Sequence, residues 1–297
     1  MLPRTLALLL GLRGAAAWSQ RGVLHGPHEV KETLVTVPGM ALDESRVDVW
    51  YPVASGGNHA PFRFLCFAHG AGGGSVVQPF VYYEIMRAVA SWGYVVAAPR
   101  ACLDGVCPDD DYPAQQTRVV DWVLAHREAA PFDGVDFSKG VGIFGHSIGG
   151  RATYENSAAA VAAAHNISAA ALLHAFVPVA EAEPAIPFLA FTGMNDTTAD
   201  YRMTERLYAR AKAGTPRGLV NRIDAGHQEP SNWEGWLEYD GYNPKMAQFV
   251  VGWMKLFLDG VSTDRGVDWD ELIFGDSDVA LCHGGDGAMA RCETHRS

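Results

Sequence analysis

The sequence has no block of lysine or arginine, no C-x-x-C pair, no internal repeat, and no apolar run long enough to span a bilayer. Each absence closes off a class of function. Without a basic stretch there is no electrostatic footprint for nucleic acid, and the formal net charge of −11 is of the wrong sign for one. Without C-x-x-C spacing, and with His283 lacking partners at ligand spacing, a structural zinc site has little support. A transmembrane helix needs roughly 20 apolar residues, and no stretch here supplies them. No low-complexity linker or shift in composition divides the chain, so one domain is expected from residue 18 to residue 297. Charged residues make up only 19% of the sequence and hydrophobic residues 48%, which excludes general disorder and allows a sizeable core.

The first twenty residues, MLPRTLALLLGLRGAAAWSQ, carry Arg4, a short apolar stretch and a small-residue run ending at Ala17. That pattern reads as a secretory signal over residues 1–17, so a secreted protein is expected. An organelle leader is the alternative, because no acidic residue precedes Glu29 and Arg13 and Arg21 flank the segment. Five cysteines suit an oxidising compartment. Local pairing, Cys102 with Cys107 and Cys282 with Cys292, is the economical assignment, although sequence alone does not fix connectivity. Cys66, alone in an apolar run, reads as an inert buried thiol.

Apolar runs alternate with helical patterns through most of the chain. Strands are predicted at 34–37, 47–51, 62–68, 94–98, 141–145, 169–173, 188–192 and 219–223. Helices are predicted near 79–91, 114–128, 148–164, 200–212 and 245–259. This order predicts an α/β fold, with a mostly parallel central sheet covered by helices on both faces.

Within it, VGIFGHSIGG (141–150) crowds glycines around Ser147 directly after a predicted strand. G-x-S-x-G in a strand–turn–helix context places a serine on a sharp turn, with the glycines letting strand and helix approach. A serine nucleophile then needs a base, an orienting acid and oxyanion donors, and this arrangement orders them serine, acid, histidine along the chain. His227, in DAGHQEP just after the last predicted strand, is the candidate base. Asp196, the first acid past the strand ending near Thr192, is the candidate acid, with Asp200 in reserve at a predicted helix start. The N–H groups of Ile148 and of Ala71 in the FAHGAGGGS loop are the oxyanion candidates, with Gly72 as the alternative to Ala71. That loop is no dinucleotide fingerprint, since Ser75 stands where the third glycine belongs and Arg100 follows the next strand. No cofactor and no metal is expected.

GHSIGG, IPFLAFTGMNDTTAD and AGHQEP together resemble α/β-hydrolases, and more narrowly the cutinase and polyester hydrolase group. Chlorophyllases and platelet-activating-factor acetylhydrolases share GHSxGG and the HG loop. The resemblance implies a serine carboxylic ester hydrolase acting on small or polymeric esters, and a cysteine pair after the closing helix, which favours 282–292. It also implies a substrate wall that includes the residues after the sixth strand, here His174 and Phe176. The group usually carries an aromatic residue at the oxyanion loop, where this chain has Ala71, and a tryptophan after the sixth strand, where LLHAFVP offers His174 and Phe176. Trp233 and Trp236, just past His227, are candidates to line an acyl pocket instead.

Overall fold

The computed structural model describes residues 25–40, 46–54, 61–72, 74, 78–100, 111–232, 242–283 and 289–296. The leader-like residues 1–17, the Cys102–Cys107 stretch, and Trp233 and Trp236 lie outside them.

In chain order the strands are β1 (Val30–Thr36), β2 (Arg46–Pro52), β3 (Arg63–Ala68), β4 (Tyr94–Pro99), β5 (Val141–His146), β6 (Ile167–Leu173), β7 (Phe188–Gly193) and β8 (Arg217–Arg222), with a small ribbon of β9 (Thr263–Asp264) and β10 (Val267–Asp268), and then β11 (Met289–His295). The helices are α1 (Gln78–Val81), α2 (Tyr83–Ser91), α3 (Asp111–Ala125), α4 (Ile148–Asn156), α5 (Ala159–Ala164), α6 (Tyr201–Ala209), α7 (Pro244–Met254) and α8 (Trp269–Phe274).

The main sheet runs β1-β2-β4-β3-β5-β6-β7-β8-β11. Strands from β4 through β8 pair in parallel, while β1, β2 and β11 join antiparallel at the edges. All eight predicted strands are present. Their near-continuous apolar composition follows from burial on both faces. On one face Leu65 and Phe67 pack with Phe144. On the other, Phe64 and Cys66 pack with Val141 and Ile143. Cys66 is a free, buried thiol, and burial pushes its pKa up.

Two predicted helices are broken. The stretch 79–91 is interrupted at Tyr82 (φ −118°, ψ 18°), and 148–164 is interrupted around Ser157. Of the alanine-rich α5 only Ala162 is buried, so that stretch covers the sheet less closely than its composition suggests. No helix among the described residues is long and apolar enough to cross a membrane.

The polar strand β11 was not predicted. It pairs antiparallel with β8, opposite Val220 at Cys292, and the Cys282–Cys292 disulfide ties it to the turn after α8. Closing a loop with a sequence separation of 10 restricts the unfolded chain by about 2–3 kcal/mol in the chain-entropy account. Replacing both cysteines by serine is therefore expected to lower Tm by roughly 4–10 °C while kcat stays close to wild type. Thermal melts of the variant beside the wild type would check this, and an unchanged Tm would show that the bridge adds no stability.

Candidate active site

Ser147 sits between β5 and α4 with φ 58° and ψ −120°, a backbone conformation that non-glycine residues rarely adopt. Such a residue costs on the order of 1–3 kcal/mol and persists only where its surroundings enforce it. Here they do. The Ser147 N–H donates to the Leu173 carbonyl (3.1 Å), and its own carbonyl accepts from Arg151 and Phe176 (3.0 and 2.9 Å). A Cβ on Gly149 would lie 2.1 Å from the Ala68 carbonyl oxygen, and one on Gly145 would lie 2.2 Å from that of Gly149. The glycines flanking the serine are required by this close approach.

The turn aims Ser147 Oγ at His227, whose Nε2 lies 2.9 Å away. On the other side of the ring, His227 Nδ1 lies 2.9 Å from Asp196 Oδ2. All three residues are buried. Backbone bonds lace the loops that carry them: Met194 N–H donates to Arg222 O (2.8 Å) and Asn195 N–H to Ala225 O (3.1 Å), which binds the segment after β7 to the segment after β8. The structure thus brings Ser147, Asp196 and His227 into one hydrogen-bonded series. Asp200 stands apart, half-buried with its side chain exposed, and caps α6 by accepting the Arg202 N–H (2.9 Å).

Asp196 is saturated with donors. Its Oδ1 accepts the N–H groups of Thr198 (3.0 Å) and Ala199 (2.6 Å), and its Oδ2 accepts from both His227 and His174 (2.9 Å each). Burial would raise its pKa, but the hydrogen bonds of the two histidines and the charge of His174 outweigh burial and hold the carboxylate far below its ordinary range.

The candidate oxyanion loop lies against the elbow. A Cβ on Gly70 would come within 3.0 Å of Ser147 Cβ, and Ala71 follows, exposed in a turn with Gly72 at φ 73°. Ile148 opens α4, where the first-turn N–H groups have no intrahelical acceptor.

His174 differs from the expected substrate wall, whereas Phe176 lies beside the elbow. His174, at φ 46°, is 0% exposed and has both ring nitrogens engaged by carboxylates, Asp196 Oδ2 and Glu229 Oε2 at 2.9 Å each. Phe176 is half-buried, and its N–H helps hold the elbow. His174 follows directly after β6, its N–H donates to the Phe191 carbonyl (2.9 Å), and its ring is drawn inward by the two carboxylates.

Other polar groups complete the surroundings. Glu229 Oε1 accepts from Arg222 and from Asn243 Nδ2 (2.6 Å). Asn243 also caps α7 through Lys245 N–H (3.0 Å). Tyr82, the residue that breaks the predicted helix, accepts the Gly70 N–H (3.0 Å) and donates to His146 Nδ1 (2.8 Å), and His146 Nε2 donates to the His227 carbonyl (2.8 Å). Burial, with the neighbouring histidines, holds the His146 pKa well below its ordinary value, so the ring stays neutral and can accept from Tyr82. Sequence reasoning missed Glu229, Arg222, Asn243 and Tyr82. Only the EP dipeptide two residues after His227 gave any signal, and nothing in it pointed inward.

His174, Asp196 and His227 present atoms within 4.8 Å of one another, close enough for a shared metal ion to be considered. Their spacing is that of hydrogen bonds: each imidazole nitrogen faces the same carboxylate oxygen at 2.9 Å, and protons fill the space between them.

The family described as Chlorophyllase matches residues 25–186, just over half of the chain. The match includes the Gly70–Ala71 loop, Ser147 and His174, and it ends before Asp196 and His227. A comparison with curated proteins gives no significant match.

Proposed function

The chain belongs to the chlorophyllase family, a branch of the α/β-hydrolases, and from that premise we propose that it is a serine carboxylic ester hydrolase with Ser147, His227 and Asp196 as its reacting and orienting groups. The observation that carries this reading is the 2.9 Å contact of His227 Nε2 with Ser147 Oγ, on a ring whose other nitrogen is held by a carboxylate.

In the proposed reaction Ser147 Oγ attacks the ester carbonyl while His227 takes its proton. The carbonyl π electrons move onto oxygen, which the N–H groups of Ile148 and Ala71 receive. Collapse expels the alkoxide, which leaves as the alcohol after taking the proton from His227. Water, deprotonated by His227, then releases the acid from the acyl-serine by the same steps. Asp196 keeps His227 in the tautomer with Nδ1 protonated and Nε2 basic.

The substrate is an ester with a substantial apolar portion. Large apolar side chains remain exposed on the segments that follow the carboxyl ends of the parallel strands: Phe80 (75% exposed) on α1 after β3, and, on loops, Val179 (70%) after β6, Met194 after β7 and Ile223 after β8. In a parallel α/β sheet, ligands bind at that end. The Cys282–Cys292 disulfide supports an oxidising compartment, in keeping with secretion of a single catalytic domain, residues 18–297.

The test is a fluorophosphonate probe on purified protein, read by mass spectrometry. One equivalent of label on Ser147, lost in Ser147→Ala, is expected. Labelling that persists in the variant, or an unlabelled wild-type protein with no esterase activity, would overturn the reading and leave a binding protein on a hydrolase fold.

A further inference from the structure

We infer that His174 is a positioning residue for ester hydrolysis: clamped between Asp196 and Glu229, it fixes the carboxylate that orients His227 and anchors it, through Glu229, to Arg222 at the end of β8. This rests on the reading of Ser147, His227 and Asp196 as the reacting and orienting groups.

The geometry dictates the protonation of the clamp. An ionised carboxylate only accepts hydrogen bonds, so contacts of 2.9 Å from each ring nitrogen to a carboxylate oxygen require an N–H on both. An imidazole with two N–H groups is an imidazolium. His174 is completely buried, so bulk water does not take the place of either partner. Burial alone would favour the neutral ring; the hydrogen bonds and charges of Asp196 and Glu229 reverse that and push its pKa up to about 9.

The charged and titratable groups around it come from four elements. Asp196 faces it from the segment after β7, and Glu229 and His227 from the segment after β8. His146, at the end of β5, is neutral. Arg222, which closes β8, pairs with Glu229 and also lies 3.4 Å from Asp224. Glu229 is held ionised because the bond and charge of His174, together with Arg222 and Asn243, outweigh the burial that opposes it. The sequence Arg222(+), Glu229(−), His174(+), Asp196(−) alternates in sign, and each member is fixed by the next.

The reaction feels the clamp through Asp196. Its Oδ2 is gripped by two imidazoles and its Oδ1 by two backbone N–H groups, so the carboxylate has no rotational freedom when His227 becomes charged.

The experiment compares wild type, His174→Gln and Glu229→Gln by pH-dependent kinetics on a soluble p-nitrophenyl ester and by ¹⁵N-histidine NMR. His174→Gln is expected to lower kcat about 10- to 100-fold with KM little changed, because the lost grip loosens the orienting carboxylate without touching substrate. A side chain with a merely structural role would not split kcat from KM in this way. In the NMR spectrum of the wild type, the resonances that vanish in His174→Gln should show both nitrogens protonated at pH 7, and in Glu229→Gln their pKa should fall.

A His174 ring with one bare nitrogen at pH 7, or an unchanged kcat in His174→Gln, would overturn the inference. If His174→Gln does not fold, the change in His174 titration between wild type and Glu229→Gln decides the matter. The NMR measurement can be repeated in Ser147→Ala, so a failure of the clamp and a failure of the hydrolase reading give separate signatures.

Discussion

Ser147→Ala is expected to lower kcat on a p-nitrophenyl ester by about 10⁶-fold while the protein remains folded. The loss is large because the reacting groups work as a unit: without Oγ, His227 has no proton to accept and Asp196 orients a base with no task. The fold should survive because, among the described residues, Oγ bonds only His227, whereas the elbow is held by backbone bonds to Leu173, Arg151 and Phe176. Residual rate above water, about 10³- to 10⁴-fold, would measure what the oxyanion donors and binding supply alone. Ser147→Gly should be equally inactive but more stable than Ser147→Ala by about 1 kcal/mol, because glycine adopts φ 58° without strain. Denaturant titrations of the two variants would show it. Equal stability would mean that the elbow stores no strain.

The parts legible in the sequence are those whose physics is local. β3 to β8 are buried on both faces, so their apolar runs announce them, and the elbow is announced by glycines that the contact of Gly149 with Ala68 requires. The helix breaks were not legible. Tyr82 leaves its helix in favour of long-range bonds to Gly70 and His146, and no local propensity encodes these. β11 (MARCETH) is a partly exposed edge strand held by β8 and a disulfide, and it lacks the alternation that marks a half-buried strand. His174 was legible as a residue near the site but not in its role. A histidine at a strand end can face outward to substrate or inward to the acid, and the partner that decides, Glu229, lies 55 residues away in sequence.

Asp196→Asn is expected to lower kcat by about 10⁴-fold, whereas Asp200→Asn should leave it nearly unchanged. The sequence offers two aspartates four residues apart, and the structure gives them different work. In Asp196→Asn the two backbone N–H groups of Thr198 and Ala199 still demand an acceptor, so the amide oxygen takes the place of Oδ1. The amide NH₂ then faces His174 and His227 where Oδ2 stood. A donor opposite His227 Nδ1 selects the tautomer with its proton on Nε2, and that nitrogen can no longer accept from Ser147. Folding should be only moderately affected, because the isosteric amide keeps the backbone bonds, but the buried imidazolium of His174 loses one of its two counter-charges and its pKa should fall. Asp200, by contrast, has an exposed side chain that accepts the Arg202 N–H at the start of α6, so its replacement removes at most about 1 kcal/mol of helix capping, and less because asparagine also caps well. Steady-state kinetics with thermal melts on both variants separate these outcomes. A large kcat loss in Asp200→Asn with normal activity in Asp196→Asn would make Asp200 the orienting acid, and would require the loop after β7 to rearrange before the ester reacts.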